Sequence, residues 1–122
     1  FSTAEHHHHP ENVVDCADCH MQTRDYMVVD PRHDHSFRIP RPDLTIETGS
    51  PNTCNACHAD RDAPWASENL VRWFGDDLPD HYGSALHAGR TGAGNHPLVS
   101  AIDDAGNPGI VRATALTLLR PA

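Results

Sequence analysis

The chain has 122 residues, enough for one small domain or for one domain with a short appendix. Its formal net charge of −8 makes nucleic acid an unfavourable partner. No apolar run approaches the roughly 18 residues that cross a bilayer, so we expect no membrane span.

The composition predicts a domain whose polypeptide alone builds a poor interior. Only 38% of the residues are hydrophobic, and ten prolines with eight glycines predict much irregular backbone. Small loop-rich chains of this kind need disulfides, a metal or a large covalent cofactor to hold them together. The spacing of the four cysteines and eleven histidines decides among these.

Two short segments, Cys16–His20 and Cys54–His58, both fit the pattern Cys-x-x-Cys-His, which is typical of covalent haem attachment. Two thiols one helical turn apart reach both vinyl groups of a porphyrin, and the adjacent histidine then faces the iron. The pattern predicts two haem c groups, with thioether bonds and proximal iron ligands supplied by Cys16, Cys19, His20, Cys54, Cys57 and His58. A zinc site, a thioredoxin-like redox pair and two disulfides are the alternatives. Because thioether bonds are made outside the cytoplasmic membrane, we expect an extracytoplasmic protein, in the periplasm, at the cell surface or extracellular.

The other nine histidines are more than such a chain needs, and two of them are expected to be distal haem ligands. One source is the run His6 to His9, in which His8 and His9 are the favoured ligands; surface histidines or a purification tag are the alternatives. The other source is the proline-flanked segment from Arg32 to Phe37. There we favour His35 as the ligand, with Phe37 covering the porphyrin and His33 as a substitute or a supporting neighbour.

Paired histidines are favoured over methionine as axial ligands of both irons. Met27 and Met21 are the rivals, but Met21 follows the proximal His20 too closely to reach the same iron from behind. Two histidines on each iron imply low potential and leave no open position for a substrate. Arg32, Arg38 and Arg41 are candidate contacts to the haem propionates, or else an ordinary solvated surface.

The fold class expected is mostly irregular backbone plus α-helix, with the cofactors organising the first domain. Residues 1–75 are predicted as a dihaem cytochrome c domain, and up to residue 62 only the short turns around the two motifs stand out. Residues 76–122 are predicted as an extension of short HEAT-like helix pairs. Apolar spacing and prolines near each start predict helices at 64–74, 79–89, 97–104 and 108–120.

The last predicted helix contains the most hydrophobic stretch, Ile110 to Leu119. We expect its outer side to be left uncovered by any further repeat. A large exposed apolar surface is typical of an interface, so the sequence favours self-association.

The chain resembles multihaem c-type cytochromes fused to tetratricopeptide or HEAT-like repeats. The resemblance rests on four segments in the same order, which are Cys16–Met21, Tyr26–Asp30, Asp34–Leu44 and Thr53–His58. The matches in the helical tail are weaker. It implies electron transfer outside the cytoplasm, and it supports His35 and the pair His8 and His9 as distal ligands.

The favoured function is electron transfer between redox partner proteins by a protein that is not an enzyme. The alternative is a subunit of an extracellular filament in which copies associate and conduct electrons along stacked haems. A haem reductase is less favoured, since it needs an open iron position with nearby acids. The paired aspartates, Asp76 with Asp77 and Asp103 with Asp104, read as helix caps and loop residues rather than catalytic acids.

Overall fold

The computed structural model describes residues 3–121, and about half of the chain is helical. One two-stranded antiparallel sheet accompanies the helices. The expected class of mostly α-helix plus irregular backbone is confirmed at this level. Within the described residues, no helix is both long enough and apolar enough to cross a membrane.

The first half is built from short elements. In chain order they are α1 (Ala4–His7), α2 (Cys16–His20), β1 (Thr23–Tyr26), β2 (Asp30–His33), α3 (Pro42–Thr48) and α4 (Thr53–Cys57). The helical turns α2 and α4 fall on the two predicted motifs, whereas α1, the hairpin β1–β2 and α3 add order that the sequence pattern did not predict. Helix α3 had recognisable signals, because Pro42 occupies its first turn and Gly49 ends it in the left-handed conformation. The hairpin had none, because all but one of its strand residues are exposed and no inward-facing side chains alternate along it.

The second half contains four helices, close to where the sequence predicted them. They are α5 (Ala63–Phe74), α6 (Tyr82–Thr91), α7 (His96–Asp103) and α8 (Gly109–Leu118). Helix α6 begins three residues after its predicted start because His81 caps it, its Nδ1 accepting a hydrogen bond from the Gly83 amide at 3.0 Å. Helix α8 ends at Leu118, two residues short of its predicted end.

The core lies among the last three helices and is small. Leu98 and Ala115 are fully buried, and Ala101 is buried beside them. Helix α6 approaches closely at Gly89, where a β-carbon would lie 2.6 Å from a Leu98 methyl carbon. Helix α6 also packs against α3, which in turn packs against α5, so α6 joins the two halves. The division at residue 75 remains a prediction.

Replacing Leu98 with alanine is expected to lower the free energy of unfolding by about 2–5 kcal/mol, since it opens a cavity in this small core. The matched control is Val99→Ala on the same helix, whose side chain is 44% exposed and whose loss should cost less than about 1 kcal/mol. Urea denaturation followed by far-ultraviolet circular dichroism measures both. Equal losses for the two variants would show that this core does not carry the stability of the helices.

Candidate functional site

The two Cys-x-x-Cys-His segments lie side by side. Helix α2 contacts α4, and the Thr53 hydroxyl donates a hydrogen bond to the Asp18 carbonyl at 2.6 Å. Partial burial, followed by the neighbouring Asp18 and other thiols, raises the pKa of Cys19. Burial, followed by Cys19, likewise raises the pKa of Cys54. The contact between α2 and α4 therefore places both motifs in one region of the molecule.

Local capping explains why each motif is helical. Asp15 and Asp18 form a reciprocal capping box at the start of α2, in which the Asp15 amide donates to Asp18 at 2.8 Å. Asn52 caps α4 by accepting from the Asn55 amide at 3.1 Å. Cysteines three positions apart in such a turn lie on the same face of the helix. Each motif therefore offers its two thiols to one side.

The ring of His20 is held in one orientation and one tautomer. Its Nδ1 lies 2.6 Å from the Arg38 carbonyl oxygen, and a carbonyl only accepts, so Nδ1 carries the proton. The Arg38 amide donates back to the His20 carbonyl at 2.9 Å. Phe37 stacks on the imidazole with centroids 4.4 Å apart and planes 8° apart. The remaining nitrogen, Nε2, keeps its lone pair, which is the state in which histidine binds a metal.

His6 lies next to His20, and His9 lies next to His58. The ring centroids are 6.2 Å apart in the first pair, with planes 18° apart, and 5.9 Å apart in the second, with planes 35° apart. Metal–nitrogen bonds of about 2.0 Å and a ring radius of roughly 1.1 Å would put two imidazoles on one metal about 6 Å apart. Both pairs have this spacing.

His9 and His7 differ in which nitrogen is available. The His9 Nδ1 donates to the His7 carbonyl oxygen, so its Nε2 keeps a lone pair. The His7 Nδ1 instead accepts from the His9 amide at 3.2 Å, so in neutral His7 the proton is on Nε2. Of these two neighbours, His9 has the tautomer suited to metal binding.

The structure places the other predicted distal ligands elsewhere. His8 stacks on Trp73, with centroids 4.3 Å apart and planes 11° apart. His35 is exposed, and among residues 3–121 it has no ring contact with His20 or His58. The roles predicted for His8 and His35 remain predictions.

His33 and Met27, two of the alternative ligands, lie in the hairpin that β1 and β2 form. The Nδ1 of His33 donates to the Met21 carbonyl oxygen at 2.7 Å, and the residue is exposed. Met27 lies in the hairpin turn, where it is 77% exposed and its backbone is left-handed with a φ of 53°. Among the described residues, no contact joins Met27 to His20 or His58, and its role as an alternative axial ligand stays a prediction.

Each of the three arginines predicted to contact propionates is paired with an aspartate. The distances are 2.6 Å from Arg32 to Asp30, 3.4 Å from Arg38 to Asp34 and 2.7 Å from Arg41 to Asp43. Hydrogen bonds from Arg41 lower the pKa of Asp43. Contacts between these arginines and propionates stay a prediction, and such contacts would be shared with the aspartates.

Within residues 3–121, no group of three or more histidine, cysteine, aspartate or glutamate side chains is arranged to hold a metal ion. No protein-family model, curated protein sequence or solved structure matches this chain.

Sequence reasoning overlooked two features of the site. It did not favour His6 over the other members of its run, because α1, which brings His6 to His20, is only four residues long and has no pattern of its own. It treated Arg38 only as a charge, whereas the backbone of Arg38 makes both hydrogen bonds to His20. The Cys-x-x-Cys-His spacing alone contains no information about a partner 18 residues away.

Proposed function

We propose that this chain is a dihaem c-type cytochrome that transfers electrons outside the cytoplasm. The observation that carries the proposal is the pair of adjacent Cys-x-x-Cys-His turns, in one of which the hydrogen bond at Nδ1 leaves the Nε2 lone pair of the histidine available. Haem supplies reversible one-electron chemistry when bound. The resemblance to multihaem cytochromes with tetratricopeptide or HEAT-like repeats agrees with this function and with a periplasmic, cell-surface or extracellular location.

The residues present fit two haems. Cys16 and Cys19 would hold the first haem through thioethers, and Cys54 and Cys57 would hold the second. Exposed or half-buried apolar and aromatic side chains beside each motif offer surface for porphyrin, with Phe37 on His20 and Trp65 4.9 Å from the ring of His58. The small protein core fits a domain in which cofactors supply much of the interior.

The spacing of the histidine rings favours a specific ligand set. The first iron would take His20 and His6, and the second would take His58 and His9. Two imidazoles on each iron close both axial positions, which favours an electron carrier over a reductase. The adjacent motifs would also bring the two haems near each other, so electrons could pass between them inside one chain.

The ligand set predicts how single histidine variants change carbon monoxide binding to the reduced protein. His6→Ala should open the iron of the first haem, and His9→Ala should open that of the second. His7→Ala is the matched control and should leave both irons closed, because His7 has its proton on Nε2. Optical titration with carbon monoxide counts the open irons as none, one or two.

Other results of this titration point to the ligands that the sequence favoured. If His35→Ala opens an iron and His6→Ala does not, the first assignment is wrong. If His8→Ala opens an iron and His9→Ala does not, the assignment of His9 to the second iron is wrong. Two irons open in the unaltered protein would contradict paired-histidine ligation and would favour the reductase.

Self-association into a conducting filament is the second candidate, and exposed apolar side chains on the last two helices favour it. Ile110 is 75% exposed, Leu116 56% and Val99 44%. Single exposed apolar residues are common, but several on one pair of packed helices form a candidate interface.

Sedimentation velocity at several protein concentrations tests this candidate. A subunit of a filament should form large species as the concentration rises, and the double variant Ile110→Ser with Leu116→Ser should shift it to the monomer. The matched control is Val13→Ser with Val29→Ser, which changes side chains 61% and 83% exposed in the first half. A monomer at every concentration would contradict the filament and leave the electron carrier.

A further inference from the structure

We infer that Tyr82 is a positioning residue for the first haem: through Arg38 it holds the carbonyl that orients His20. This inference rests on the proposed function, because it concerns the histidine that would bind the first iron. It assigns a role in electron transfer to the helical half of the chain.

The backbone of Arg38 makes hydrogen bonds to His20 at two points. The Arg38 amide donates to the His20 carbonyl at 2.9 Å, and the Arg38 carbonyl accepts from Nδ1 at 2.6 Å. The segment around Arg38 is otherwise irregular and lies outside any helix or strand. Besides these two hydrogen bonds, the contacts of the Arg38 side chain help to hold this backbone in place.

The side chain of Arg38 is held mainly by helix α6. Its Nη1 donates to the Tyr82 hydroxyl oxygen at 2.8 Å, whereas its Nε is 3.4 Å from Asp34 and its Nη2 is 3.4 Å from the Ser36 hydroxyl. The longer, exposed ion pair is expected to contribute little. The hydrogen bond to Tyr82 is also the main cause of the raised pKa of Arg38.

Helix α6 and the residues just before it are themselves bonded to the stretch of chain that follows Arg38. Arg41 donates to the Pro79 carbonyl at 2.8 Å, and the Ser84 hydroxyl donates to Glu47 at 2.7 Å. The ring of Tyr82 also packs on His81, with centroids 4.1 Å apart. These contacts hold the Tyr82 hydroxyl in a fixed place relative to Arg38.

The consequence for the iron follows from the hydrogen bond at Nδ1. A strong bond to a carbonyl makes the imidazole more basic, and a more basic ligand stabilises ferric over ferrous iron. If Tyr82 loses its hydroxyl, Arg38 becomes less restrained and its carbonyl moves more freely relative to His20. The reduction potential of the first haem should then rise, while that of the second haem should not change.

The test is a redox titration of the haem-loaded Tyr82→Phe variant, followed by electron paramagnetic resonance so that each low-spin haem reports separately. His20→Met, which replaces only the first proximal ligand, identifies the signal of the first haem. Tyr26→Phe is the matched control, because it removes the hydroxyl of the other tyrosine, whose ring lies under Arg32 in the hairpin. We expect the first potential to rise in Tyr82→Phe and both potentials to be unchanged in Tyr26→Phe.

A double-mutant cycle tests the route through the arginine. Arg38→Met should raise the same potential, and adding Tyr82→Phe to it should produce no further change. Unchanged potentials in Tyr82→Phe, equal shifts of both haems, or additive shifts in the double variant would each overturn the inference while leaving the proposed function in place. A chain without two haem signals would overturn both.

Discussion

The contact between the two Cys-x-x-Cys-His turns is the constraint on which the proposed function depends. Helices α2 and α4 are each a single helical turn, too short to be stable alone, and they are held by local caps and by the bond from Thr53 to Asp18. This contact brings four cysteines and two histidines into one region of a chain with little apolar core. Two haems bound there would share the same surroundings.

The side chains of the first half suit the binding of the proposed haems. Phe37 packs on the ring of His20, and the ring of His8 packs on Trp73 of helix α5. The backbone hydrogen bonds and aspartate–arginine pairs of the first half fix loops but bury little surface. The second half has the opposite character, since α6, α7 and α8 enclose the fully buried side chains of Leu98 and Ala115. Contacts from Arg38, Arg41 and Glu47 to the start of α6 join these two parts.

Elements of the fold could be predicted from the sequence where cysteine spacing or helical periodicity forms a local pattern. Prolines near helix starts and apolar spacing predicted α5 to α8, and the cysteine spacing predicted α2 and α4. The pattern could not predict the hairpin, whose strands are almost entirely exposed, or the later start of α6, which depends on a histidine cap. Nor could it predict which histidines approach His20 and His58, because those contacts join segments far apart in the chain. The position of His6 depends on a four-residue helix, and that of Arg38 on a loop.

The central claim is that thioether-linked haem completes this small domain. The most direct measurement is the intact mass of the native protein under denaturing conditions, in which only covalently attached groups remain on the chain. We expect the polypeptide mass of 13.4 kDa increased by two haems, and by one haem when Cys54 and Cys57 are both replaced by alanine. A native mass equal to that of the bare polypeptide would contradict the account.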